Sequence, residues 1–200
     1  IDTFIELQRR KKFDPAWTEA FLDSMRHDLD HKPCRTVDDT LAYIYGSAEV
    51  IGLFMANIMD LPDEALPQAA MLGRAMQYIN FIRDIDEDNR LGRRYLPLGD
   101  SPLGGLLLSD AERDPAAFHA FIRKEIERYR MWQRIAATGY RFIPWRCRIP
   151  IMTAADMYCW TAKIIASDPM VVFRRKVKPT KRRIILCGLS HMLGLCRGCS

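Results

Sequence analysis

Along most of the chain, apolar residues recur with helical spacing. No stretch shows the strict alternation closed by hairpin turns that marks a strand. A first segment ends near Lys12. Asp14 and Pro15 then open a second helix, predicted to reach about Asp30, with proline at its first position. Pro33 interrupts the chain. Thr36 is placed to cap the next helix, residues 37–59, and Asp38 and Asp39 lie in its first turn, where carboxylates suit the helix dipole. Residues 61–63 read as a corner, and a long helical pattern follows to about Asn89. Residues 91–108 are rich in Gly and Pro and read as a loop. Residues 110–143 read as helix, Pro144 and Pro150 as a break, and residues 151–166 as another helix. Asp168-Pro169 is a turn, and Pro179 begins the last helix. The pattern predicts one all-α, bundle-like domain of about six helices over residues 1–200, closing in a terminal helix and tail at 184–200.

Composition narrows the class. With 48% hydrophobic and 28% charged residues, neither disorder nor a disulfide scaffold is expected. No run of 18 apolar residues occurs, so a spanning helix is not expected. The chain starts with Ile and lacks an apolar leader core, and the expectation is that an upstream segment is missing. The net charge of +5 is concentrated, with seven basic and no acidic residues between Arg174 and Arg183. This run reads as a solvated surface, or as a contact for anionic lipid headgroups or diphosphate. No aromatics interleave with it, so nucleic acid is not an expected partner. Cys34, Cys147 and Cys159 read as reduced cytosolic residues. Cys187, His191, Cys196 and Cys199 could supply four soft metal ligands, or belong to a plain terminal helix and tail.

The candidate chemistry sits between Gly73 and Pro97. Four carboxylates, Asp84, Asp86, Glu87 and Asp88, fall within five residues. At about 100° per residue, Gln77, Asn80, Asp84 and Asp88 share an arc of about 80°, with Gly73 on the same side. Asp86 points the opposite way and Glu87 lies on the flank. One face therefore offers an all-oxygen set suited to Mg²⁺ ions that also take phosphate oxygens. Arg83, Arg90, Arg93 and Arg94 surround it, and guanidinium groups clamp phosphate well. The plainer alternative is a solvated acidic helix end with charge-paired arginines.

The stretch resembles the second aspartate-rich motif of the phytoene/squalene synthase family, Q-x-x-N-x-x-R-D-x-x-x-D followed by G-R-x-Y-L-P. Gln77, Asn80, Arg83, Asp84, Asp88, Gly92, Arg93, Tyr95, Leu96 and Pro97 stand at matching positions. Residues 43–52, YIYGSAEVIG, are similar to the family's Y-C-Y-x-V-A-G-x-V-G helix, with Ser47 and Glu49 departing from its Val and Gly. A looser match covers Ala154 to Tyr158 and Val172 to Val177, where the family's counterpart of Tyr158 lies near the reacting centre.

The resemblance implies an isoprenoid-synthase-type helical bundle around a central prenyl cavity, with its first helices missing. It implies head-to-head condensation of two prenyl diphosphates through a cyclopropyl intermediate. Two geranylgeranyl diphosphates giving phytoene is the favoured case, because residues 172–178 read like prokaryotic phytoene synthases. Squalene or dehydrosqualene formation from farnesyl diphosphate, or an inactive homologue, are the alternatives. Asp84, Asp88, Tyr43 and Tyr158 would be catalytic, with Asn80, Asp84 and Asp88 holding Mg²⁺ (or Mn²⁺). Gln77, Asn80, Arg83, Arg93, Tyr95, Ser47, Ala48 and Gly52 would bind substrate. NADPH would be required only for squalene formation. The expected location is cytoplasmic, with peripheral membrane contact as an option. A cavity wall has no place for a bare charge, so Glu49 should face elsewhere or pair with Arg or Lys. The family also carries an upstream D-x-x-x-D motif. Asp2 is followed by Glu6 rather than Asp, and Asp39 is too close to Tyr43, so no counterpart is found in these residues.

Overall fold

The computed structural model describes residues 2–30 and 32–195. They form helices throughout, and no strand occurs among the described residues. α1 (Asp2–Lys11) and α2 (Pro15–Asp30) lead into α3 (Val37–Ile44). Thr36 and Asp39 close a capping box at the start of α3: Asp39 N–H donates to Thr36 Oγ1 at 3.0 Å and Thr36 N–H to Asp39 Oδ2 at 2.9 Å. The helix expected over 37–59 is continuous in space but not uniform. Residues Tyr45–Glu49 form a π-helical turn before α4 (Val50–Ile58). The combined rod Val37–Ile58 is long and apolar enough to cross a bilayer by length and composition alone, although it holds no run of 18 apolar residues. It packs against α2 and against α5 (Leu66–Arg83).

The long helix expected to reach Asn89 divides at Asp84, whose φ of −100° and ψ of 16° separate α5 from α6 (Ile85–Arg90). The ladder still bridges the joint, with Asp84 N–H bonded to Asn80 O and Asp88 N–H to Asp84 O, both at 2.8 Å. Asp86, Glu87 and Asp88 then sit in the first turn of α6, the end of the dipole that favours them. The helix expected over 110–143 is likewise split, into α7 (Leu108–Arg113) and α8 (Pro115–Ala137), by the Asp114 cap. Pro150 does not break the chain as expected. α9 (Trp145–Ser167) runs through it. The proline lies near the helix start and is exposed, as is Arg146, so the one missing ladder bond falls where water serves the carbonyl. α10 (Val171–Arg174) and α11 (Lys181–Met192) complete the described chain.

α5 is the central element. Tyr78, Ile79 and Ile82 on it are fully buried, against Phe118, Ile122, Ile126 and Tyr129 of α8 and Ile165 of α9. Its apolar residues point to all sides, the pattern of a helix wrapped by neighbours. A satellite cluster of Phe13, Val50 and Phe54, edged by Trp17, fastens the N-terminal helices to α4.

Candidate active site

Small residues set the spacing between the helices that frame the site. A Cβ on Gly73 would lie 2.2 Å from the carbonyl oxygen of Ala48, and one on Gly52 2.2 Å from that of Ala69. Both neighbours are backbone and cannot step aside, so α5 is drawn against the π turn and α4. What approaches Gly73 is thus the backbone of a neighbouring helix. Between these helices and α9 lies an apolar cavity of about 510 Å³. Ser47, Ala48, Gly52, Gly73, Gln77, Asn80 and Tyr158 contribute to its wall. Glu49 does not. It is buried, and its Oε1 accepts from Arg74 Nε at 2.7 Å, as charge burial demands.

Gln77 and Asn80 also line a second, polar pocket of about 250 Å³, with Asp84, Asp88, Tyr43, Arg93 and Tyr95. The face expected from helical spacing survives the joint at Asp84, because the hydrogen-bond ladder turns the same side forward. Asp86 points away and pairs with exposed Arg90. Gly92 explains how Arg93 arrives. Its φ of +69° is a left-handed cap, Gly92 N–H bonds to Asn89 O at 3.1 Å, and Arg93 N–H bonds back to Asp88 O at 2.8 Å. The chain reverses within one turn and brings Arg93 to the carboxylates. Tyr95 follows, stacked on Phe81 at 4.4 Å and 13°.

Charge is unevenly distributed in this pocket. Burial alone would raise the Asp84 carboxyl, but the hydrogen bonds and charge of Arg83, joined by Lys176, hold it below the usual range. Arg83 bonds Asp84 directly, Nε to Oδ1 at 2.9 Å, rather than reaching into the pocket as a phosphate clamp. Asp88 has no such ion pair among the described residues. Burial first, then the charges of Asp84 and Glu87, push its carboxyl up to about 7. Asn80 Oδ1 and Arg93 Nε are buried without a hydrogen-bond partner among the described residues. Two crowded carboxylates, an unanswered amide oxygen and an unanswered guanidinium Nε together fit a divalent cation carrying an anionic oxygen ligand.

Two residues of this site escaped the sequence reading. Asp28, on α2, accepts from Tyr43 Oη at 3.0 Å and from Tyr95 Oη at 2.7 Å, and so orients both rings. Burial, joined by the charge of Asp28, takes the Tyr43 hydroxyl up to about 12, so it is a donor at neutral pH. Lys176, from the basic run, pairs with Glu87 and lies 3.3 Å from Asp84. The pairings span 15, 67 and about 90 positions, and no local pattern announces them. Tyr158 lies apart from the polar pocket. It stands between the apolar cavity and a second one lined by Arg83, Met157, Ile184 and Gly188.

Residues 1–183 match the family model described as squalene/phytoene synthase. The chain is 28% identical over 174 residues to a 15-cis-phytoene synthase of Paracoccus, covering 86% of this chain and 57% of that protein. It is 36% identical over 148 residues to one from Enterobacter agglomerans, covering 72% and 50%. It is 33% identical over 177 residues to a phytoene synthase of Rhodobacter capsulatus, covering 82% and 50%. The chain thus spans about half the length of these curated relatives. Among solved structures, a dehydrosqualene synthase bound to a ligand aligns with a TM-score of 0.74 at 23% identity, covering 90% of this chain and 65% of that one. A squalene synthase from Alicyclobacillus acidocaldarius aligns with a TM-score of 0.67 at 21% identity, covering 86% and 64%. The all-helical fold is that of these enzymes, and the chain belongs to the squalene/phytoene synthase family.

Proposed function

We propose that the complete protein condenses two prenyl diphosphates head to head through a cyclopropyl intermediate, with two geranylgeranyl diphosphates giving phytoene as the leading case. The observation that carries this reading is the junction of two unlike pockets. An apolar cavity suited to an isoprenoid chain meets a pocket of carboxylates and arginine at Gln77 and Asn80. A prenyl diphosphate has the same two halves. The curated relatives named above are phytoene synthases, which favours the longer substrate over farnesyl diphosphate.

Asp84, Asp88 and Asn80 would hold Mg²⁺, which when bound draws charge from the leaving diphosphate. Arg93 lies beside them to bind diphosphate oxygens. The cavity wall of Ala48, Ile51, Met55 and Leu72 shields the allylic cation from water. Tyr43, held by Asp28, and Tyr158 at the far side are placed to position the reacting carbons. Arg83 acts by fixing Asp84 in its ionised form. The reading assigns the protein to the cytoplasm. Peripheral membrane contact is supported by exposed Ile185, Leu186 and Met192 on α11, next to the basic run.

The test is a product assay on the complete protein with geranylgeranyl and farnesyl diphosphates and Mg²⁺. Asp84→Ala and Asp88→Ala should each abolish turnover, while Asp86→Ala remains close to the parent. Equal losses in all three would overturn the assignment of the metal face. Turnover only with farnesyl diphosphate would replace phytoene with the squalene-type product.

A further inference from the structure

α11 carries two residues that the proposed reaction does not use. Cys187 and His191 are four apart and so share one face of the helix. That face meets α9, where Asp156 projects toward them. His191 Nε2 lies 2.8 Å from Asp156 Oδ2, and Cys187 Sγ lies 3.5 Å from the same oxygen. All three potential ligand atoms fall within 4.8 Å of one another. The site is sheltered, with the His191 side chain 3% exposed and that of Asp156 14%.

We propose that Asp156, Cys187 and His191 form a binding site for zinc, separate from the diphosphate pocket. The donor set argues for this metal. A thiolate and an imidazole are soft or borderline ligands that Mg²⁺ and Ca²⁺ avoid and zinc prefers. Charge argues for it too. One carboxylate and one thiolate match the charge of a divalent cation in this half-buried cluster, and binding releases the Cys187 proton to solvent. Three protein ligands leave a fourth position for water or for a residue of the chain's end. Residues 1–183 are those matched by the family model, so Cys187 and His191 lie beyond it. The site would pin α11 to the helix that carries Tyr158. The grouping differs from the one expected from sequence, since Asp156 replaces Cys196 and Cys199, which lie outside the described residues.

Cys159, expected to be reduced, is disulfide-bonded, so the experiment uses the full chain without reductant, stripped with chelator, then given zinc and freed of unbound metal. The parent should retain about one zinc per chain. With cobalt instead, it should show the near-ultraviolet band of a thiolate–cobalt bond, a readout that depends on no variant. Cys187→Ser and His191→Ala should each weaken retention by roughly tenfold or more. Three results would overturn the proposal: no stoichiometric zinc in the parent, retention unchanged in both variants, or loss only in a Cys196→Ser/Cys199→Ser double variant. None of these readouts involves turnover, so failure here is distinguishable from failure of the proposed reaction.

Discussion

Single residues in this chain matter in proportion to how far water is excluded from them. Glu49 and Arg74 form a pair with side chains 6% and 23% exposed, whereas Lys11 and Asp60 form one at 18% and 80%. Both are 2.7 Å apart. Removing Glu49 strands a guanidinium, so Glu49→Ala should cost about 3 kcal/mol, while Asp60→Ala should cost less than about 1. Chemical denaturation of the two variants checks the contrast. Gly92 is an exception, an exposed residue that matters because its left-handed cap turns Arg93 back toward Asp88. Gly92→Ala should lose about 1 kcal/mol of stability and a larger share of diphosphate affinity. At this scale the motif residues were legible because they recur at helical spacing. Asp28 was not, because its tyrosine partners come from α3 and the loop after α6, and no spacing rule relates those elements.

Elements are set by caps and close approaches. Thr36→Ala should destabilise α3 by about 1 kcal/mol through loss of its cap. The companion carboxylate of Asp39 is held below its ordinary pKa, chiefly by the backbone N–H groups of Thr36 and Arg35. Its stabilising effect is therefore full above the usual carboxylate range and lost as pH falls through the depressed value. Asp39→Asn should remove that portion of the acid dependence in thermal melts. Gly73→Ala places a methyl group 2.2 Å from a carbonyl oxygen that has no room to move. A cost of about 1–3 kcal/mol is expected, together with a widened or distorted cavity. Helix identity was legible from apolar periodicity, but three boundaries were not. The joint at Asp84 leaves the ladder intact, the Asp114 cap sits inside a continuous pattern, and Pro150 costs only one bond near an exposed helix start.

At the scale of the molecule, two pockets share Gln77 and Asn80, and each is built from segments distant in sequence. α5 lies at the centre of both and supplies the shared residues. The all-helical class and the polar face could be read in advance because both follow from one helix's periodicity. The cavity volume, the division of labour between Arg83 and Arg93, and the partner of Glu49 depend on which helices meet, which periodicity does not encode. The rod Val37–Ile58 shows what one extra residue achieves. A π turn inserts a single residue into an α-helix and shifts the phase of everything downstream by about 100°. Tyr43, before the turn, faces Asp28 and the polar pocket, whereas Ser47, Ala48 and Gly52, within and after it, face the apolar cavity. The turn is thus a phase shifter that lets one rod address both halves of an amphiphilic ligand. A chain lacking Tyr45 should keep its helical circular dichroism yet rotate α4 out of register, separating Tyr43 from the cavity although every side chain named at either pocket is still present.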